Sequence, residues 1–165
     1  YAAARRALGV GEVLLTAHHD DDQLETVLLQ LLRGAGVDGL AAMPASAPFG
    51  RGWHLRPLLG SSRAQIETWA RAQRLRWIDD ASNAEPRFDR NFLRLEVLPR
   101  LRQRWPSAAQ VVARTAQHMA DARVLLEELG DRDLQRAGVG AALDLAALTA
   151  LPTARQRNLL RRWLA

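Results

Sequence analysis

The segment His18-His19-Asp20-Asp21-Asp22-Gln23-Leu24-Glu25-Thr26 gathers two imidazoles and four carboxylates within nine residues. On a helix Asp21 and Glu25 stand four apart and Asp22 and Glu25 three apart, so their side chains leave one face as neighbours. Like charges held side by side cost stability unless a cation or a proton lies between them. Two kinds of chemistry follow: a carboxylate that takes a proton from a nucleophile, and oxygen ligands in Asp22 and Glu25 for a magnesium ion shared with a phosphate. Zinc is disfavoured, because His18 and His19 are adjacent whereas helical zinc sites place imidazoles a turn apart. The plain alternative is that acidic residues in a first helical turn complement the helix dipole, at about 0.3–1 kcal/mol each. That accounts for one or two carboxylates and leaves the paired histidines and Glu25 unexplained.

A strand and a helix must position this run. Val13-Leu14-Leu15-Thr16-Ala17 reads as a short apolar strand, and Leu24, Val27, Leu28, Leu31 and Leu32 recur at helical spacing, so the acidic residues open a helix at a strand's carboxyl end. In open α/β sheets that crevice is where ligands bind. Upstream, residues 1–8 read as a helix stopped by Gly9-Val10-Gly11. Downstream, residues 34–39 spell G-x-G-x-x-G, but they end a helix rather than open one, so Gly34 is a helix terminator and not part of a dinucleotide fingerprint. Residues 43–60 read as a Pro/Gly/Ser-rich loop with a short strand at 53–56. Ser62-Arg63-Ala64-Gln65 is a capping box for a helix with Ile66, Trp69 and Ala70 on its apolar face, and Trp77-Ile78 reads as a short strand before the polar turn 79–86. Arg90 and Arg94 share a helical face within reach of one phosphate, with Asn91 beside them; their plain reading is a solvated face paired with Asp89 or Glu96.

Pro99 and Pro106 bracket an Arg-rich connector, which places a domain boundary at 100/101. Beyond it Ser107 caps a long helix with Val111, Val112, Thr115, Met119, Ala122, Leu125, Leu126 and Leu129 as its core stripe, and His118 on that helix has no chemistry assigned. Of the 23 basic residues, all arginine, 10 lie in residues 101–165 against 6 acidic ones, whereas residues 1–100 carry 13 against 12, so the helical part is the more basic. With a net charge of +5 and a pI near 11.2, the composition admits a nucleic-acid partner through arginine's bidentate phosphate contacts. Cysteine is absent, which excludes disulfides, thiolate metal sites and a cysteine nucleophile and is compatible with a cytoplasmic setting. There is no long apolar run, so no membrane association is expected. The 48% hydrophobic and 25% charged content is that of a globular protein.

Several motifs coincide in order: Thr16-Ala17-His18-His19, Asp21-Asp22-Gln23 with Glu25-Thr26, Arg33-Gly34-x-Gly36-x-x-Gly39-Leu40, Arg56-Pro57-Leu58-Leu59 with Arg63, Asp80-x-Ser82-Asn83, and Arg90-Asn91-x-x-Arg94. Across residues 12–99 the chain resembles the tRNA(Ile)-lysidine synthase family of PP-loop ATP pyrophosphatases. The His-His-x-Asp-Asp-x-x-Glu-Thr element is also similar to that of tRNA 2-thiocytidine synthetases, but those depend on cysteines, which this chain lacks. The resemblance implies an α/β fold: the C-terminal half of a Rossmann-like, PP-loop (HUP-type) parallel-sheet catalytic domain over 1–100, followed by a mostly α-helical tRNA-binding domain over 101–165. It implies an ATP-dependent carbon–nitrogen ligase that adenylates the carbonyl oxygen of the wobble cytidine in a tRNA-Ile with a CAU anticodon. The ε-amine of free L-lysine then displaces AMP.

By the same resemblance Asp22 and Glu25 are the residues that hold lysine and take its proton, and Arg90 stabilises charge on the adenylate phosphate. His18 is a further catalytic candidate, Asp21, Arg94 and Asn91 are substrate-binding candidates, and ATP with Mg2+ are the expected co-substrate and ion. Family members carry a Ser-Gly-Gly-x-Asp-Ser phosphate loop that this sequence lacks. The chain is therefore expected to be a piece of a longer protein, to bind ATP poorly and to be inactive alone, with open strand edges that favour a homodimer. Position 20 is Asp where the family usually has an apolar residue. The competing expectation is a non-catalytic tRNA-binding or helical interaction module derived from such an enzyme, whose binding falls steeply with salt for any tRNA.

Overall fold

A computed structural model describes residues 1–78, 87–140 and 142–165; the polar turn read at 79–86, with Asp80, Ser82 and Asn83, lies outside them. The chain opens with helix α1 (Ala2–Ala7), strand β1 (Val13–Leu15), helix α2 (Asp20–Leu32) and the one-turn helix α3 (Val37–Leu40). The acidic run begins α2, as its place before the periodic leucines predicts. Arg33 is the C-cap and Gly34 beyond it takes φ +73°, a left-handed conformation that glycine adopts without a Cβ penalty.

Strands β2 (Ser46–Phe49) and β3 (Gly52–Leu55) form an antiparallel hairpin where the sequence reads mostly as loop. Pro48 hides this strand from pattern reading, yet the sheet order is β1-β3-β2, and an edge strand tolerates proline. The turn is Gly50-Arg51, with Gly50 at φ +62° and so close to α1 that a Cβ there would stand 2.7 Å from the Arg5 carbonyl oxygen. β3 pairs in parallel with β1, Leu14 opposite His54. This parallel pair, with α2 leaving the end of β1, is the α/β part of the fold.

Helix α4 (Arg63–Ala72) starts on the predicted capping box: Ser62 Oγ accepts from the Gln65 amide at 3.2 Å, and the Ser62 amide donates to Gln65 Oε1 at 2.8 Å. Its apolar face is only part-buried, with Trp69 exposed. Trp77-Ile78 is not a strand; Ile78 is almost wholly exposed and no described strand pairs with it. Helix α5 (Asp89–Phe92) runs through a π-helical turn, Leu93–Val97, into α6 (Leu98–Arg104). The widened turn ends two residues before Pro99 and contains Leu95, whose carbonyl the proline ring would meet in a regular α-helix. The residues read as an Arg-rich connector are thus helical as far as Arg104.

Helix α7 (Ala108–Ala137) follows, then strands β4 (Gly138–Val139) and β5 (Ala142–Leu143), a one-turn helix α8 (Leu145–Thr149) and α9 (Thr153–Trp163). Ser107 stands at the N-cap of α7, but its side chain makes no capping bond. The buried line of α7 is not the aliphatic stripe read from the sequence: Val111 and Leu125 are exposed, while Ala109, Ala116, Gly130, Asp133 and Ala137 are buried. Small residues of α7 let α2 and α9 each approach it closely, Ala109 packing with Leu24 and Gly130 lying against Asn158 and Arg162. Leu24, Leu98 and Ala109 form the core where α2, α6 and α7 meet, with Leu28, Leu101 and Val112 against it. Leu159 of α9 is fully buried, and Asn158 Nδ2 donates to the Leu126 carbonyl of α7 at 2.7 Å. No described helix is long and apolar enough to cross a membrane.

Candidate active site

The first turns of α2 carry the site. Glu25 is fully buried, and both its oxygens accept from guanidinium groups: Oε1 from Arg94 Nε at 2.8 Å, Oε2 from Arg94 Nη2 at 2.9 Å and from Arg90 Nε at 2.8 Å. Arg94 thus forks bidentately onto Glu25, and this hydrogen bond, outweighing its desolvation, holds its pKa above the ordinary arginine value. Arg90 Nη2 also donates to Thr26 Oγ1 at 3.0 Å and to the Asp22 carbonyl at 3.3 Å. Asp22 bridges the helix start to the arginines: Oδ2 accepts from the His19 amide at 3.0 Å and lies 3.4 Å from His19 Nε2, while Oδ1 accepts from Arg94 Nη2 at 3.3 Å. The cations that relieve the carboxylate crowding are Arg90 and Arg94, 65 and 69 positions beyond Glu25, and these arginines pair with Glu25 rather than with Asp89 or Glu96 beside them in sequence.

Asp21 faces another way. Its Oδ1 is ion-paired with Arg102 of α6, and its Oδ2 accepts from the Arg63 amide at 3.4 Å. Asp20 is buried, with Oδ1 lacking a hydrogen-bond partner among the described residues, and burial raises its pKa above the ordinary carboxylate value. His18 is half-buried with Nδ1 2.7 Å from Thr16 Oγ1, and burial lowers its pKa below 6.5 against the opposing pull of Asp22. Asn91 is half-buried beside Arg90 in α5. Of the residues singled out in the sequence, Asp22, Glu25, Arg90 and Arg94 come together in one network.

Magnesium does not fit between Asp22 and Glu25, because guanidinium groups occupy both Glu25 oxygens and one of Asp22. Among the described residues His19, Asp20 and Asp21 bring ligand atoms within 4.8 Å of one another. There the positive end of α2 and the Arg102 guanidinium already supply the compensating charge, which disfavours a further cation.

A family model for the PP-loop domain matches residues 1–101. The chain belongs to the PP-loop family. A second model, for the TilS substrate binding domain, matches residues 143–165, which comprise β5, α8 and α9 apart from the first residue of β5. Similar proteins include the tRNA(Ile)-lysidine synthases of Pseudomonas putida (53% identical over 173 residues), Pseudomonas aeruginosa (52% over 175) and Coxiella burnetii (50% over 164). These alignments cover 99–100% of this chain and 36–40% of the relatives, so the chain spans about 40% of the length of the curated relatives it matches.

In this PP-loop chain the sequence reading missed several residues that shape the site. Gln23 is buried and holds the loop before β2, donating to the Met43 carbonyl at 3.0 Å and accepting from its amide at 3.1 Å. Thr26 orients Arg90 while its own hydroxyl donates to the Asp22 carbonyl at 2.7 Å. Both lie inside the quoted motif, so their place in it was the available signal. Arg102 and His54 reach the site from distant segments and carry no local signal at all.

Proposed function

We propose that this chain is the part of a tRNA(Ile)-lysidine synthase that contains the lysine-transfer residues, the parent using ATP to join L-lysine to the wobble cytidine of a tRNA-Ile with a CAU anticodon. The observation that carries the reading is the network of Asp22 and Glu25 with Arg90 and Arg94 at the carboxyl end of a parallel strand, in a chain about half identical to synthases of that name. A lysine ammonium must lose a proton before it attacks. Asp22 is the better placed acceptor, since its side chain remains 13% exposed and its Arg94 bond is long, whereas Glu25 at 1% is committed to both guanidinium groups. Glu25 then serves by fixing the arginines. Arg90, 41% exposed, presents positive charge to the phosphate of the adenylate, where a preorganised cation stabilises developing negative charge without reorganisation.

His18, Asp21, Arg94 and Asn91 complete the proposed site. ATP and magnesium are the proposed co-substrate and ion; magnesium supplies charge neutralisation on the nucleotide phosphates, and no ligand for it is assigned in this chain. The division at 100/101 into a catalytic part and a helical tRNA-contacting part is supported by the PP-loop match ending at 101 and by the separate match over 143–165. The test is transfer of labelled lysine by the full-length protein, with ATP and magnesium, onto tRNA-Ile bearing CAU or GAU. Incorporation confined to the CAU tRNA is expected. A folded full-length protein that binds both tRNAs and transfers lysine to neither would replace this reading with that of a tRNA-binding module.

A further inference from the structure

His54 belongs to no motif singled out above, yet it is almost completely buried on β3, opposite Leu14. Its ring centroid lies 5.7 Å from that of Phe49, 5.9 Å from Tyr1 and 6.4 Å from His18. Between the two histidines stands one hydroxyl: Thr16 Oγ1 is 2.7 Å from His18 Nδ1 and 2.8 Å from His54 Nε2. Both rings are held below the ordinary imidazole pKa, chiefly by burial. Arg56 lowers both, while for His18 Asp22 opposes and Arg56, Arg90 and His19 reinforce the shift. At neutral pH each ring therefore carries one N–H.

We infer that Thr16 locks His18 and His54 into the same tautomer, so that His54 is a positioning residue that sets which ring nitrogen of His18 bears a proton. The hydroxyl has one hydrogen. It donates to one imidazole and accepts from the other, which leaves two arrangements. In the first it donates to His18 Nδ1 and accepts from His54 Nε2, and both rings are protonated at Nε2. In the second it donates to His54 Nε2 and accepts from His18 Nδ1, and both are protonated at Nδ1. Opposite tautomers would require the hydroxyl oxygen to accept from both rings, leaving its own hydrogen without an acceptor among the described residues, or to face two bare nitrogens with a single hydrogen. Either loses a bond in a part-buried place. The lock therefore ties whether His18 offers a donor or an acceptor at Nε2 to the tautomer of His54, a choice that imidazole chemistry depends on. Its bearing on catalysis rests on the function proposed above; its existence does not.

The test uses this chain with 15N-labelled histidine, read by long-range 1H–15N correlation at pH 7.5, with circular dichroism as the check on folding. The four imidazoles are assigned by single substitution, and exposed His118 serves as the reference for an unconstrained tautomer mixture. Wild type is expected to show His18 and His54 each in one tautomer, the same one. Thr16→Val, which removes the hydroxyl and keeps the shape, moves the His18 nitrogens toward the averaged values of His118, while Thr16→Ser retains the locked values. Opposite tautomers in the wild type, or an unmoved His18 in folded Thr16→Val, would overturn the inference. The wild-type spectrum alone decides the matter where Thr16→Val does not fold.

Discussion

Among the described residues two buried carboxylates are each gripped by arginine, and only one belongs to the candidate active site. Asp133 on α7 is fully buried and receives both Nε, at 3.0 Å, and Nη2 of Arg155 from α9. Glu25 on α2 receives two guanidinium groups, one of which also reaches the Asp22 carboxylate, and its surroundings include His19, Thr26 and a part-open Asp22. The first pair is closed and balanced, one charge against one, and clamps two helices. The second holds more arginine and carboxylate groups than a clamp needs, with Arg90 turned partly to solvent. A buried acid alone does not mark chemistry; an acid that fixes more charge than it neutralises, beside an open partner, does.

Removing the anion from the larger network should do the greater harm. Glu25→Ala leaves two guanidinium groups facing each other without their shared acceptor, and is expected to cost about 3–5 kcal/mol in thermal or urea unfolding of this chain. A loss within about 1 kcal/mol would make the network a solvated face and erase the contrast with α7. In the helical clamp the sign of the asymmetry is the sharper probe. Arg155→Ala strands Asp133 in a fully buried place, whereas Asp133→Asn leaves an arginine that can turn to solvent, so the melting temperature should fall further for Arg155→Ala.

A steric change comes next. Gly130 lets α9 lie close to α7, for a Cβ there would stand 3.0 Å from Arg162 Cβ and 3.2 Å from Asn158 Nδ2. Gly130→Leu is expected to destabilise by about 1–3 kcal/mol through overpacking, with no effect on the Glu25 network. Unfolding curves, together with the arginine side-chain resonances of Arg90 and Arg94, separate the two.

The smallest effect is one of pH. Burial holds His18 and His54 below 6.5, so as pH falls the unfolded chain takes up protons first. Stability contributed by the neutral rings is complete above pH 6.5 and is lost as pH falls from there toward the lowered folded values. Replacing His54 by Phe should flatten that part of the stability profile; an unchanged slope would mean that the buried ring does not titrate as its surroundings require.

What was legible in the sequence was local. The start of α2, the left-handed Gly34, the Ser62 capping box and the shared face of Arg90 and Arg94 all follow from spacings of a few residues. The β2–β3 hairpin was hidden by Pro48, and the core line of α7 by its small residues, because periodicity weights large side chains while close helix packing selects alanine and glycine. The partners of the acids were beyond reach for a different reason. Arg90 pairs with Glu25 across 65 residues rather than with its neighbour Asp89, and Thr16 meets His54 across 38, so only the folded sheet and the π-helical turn bring them together.

The most direct measurement compares the two arginine-held regions within one protein: single-turnover lysine transfer to the CAU-bearing tRNA-Ile by the full-length protein carrying Asp22→Asn or Arg155→Ala, corrected for the folded fraction. Asn keeps the bond to the His19 amide and removes the base. The account predicts that Asp22→Asn lowers the rate by about 10²-fold or more while folded Arg155→Ala stays near wild type. Equal rates for Asp22→Asn and wild type would contradict it.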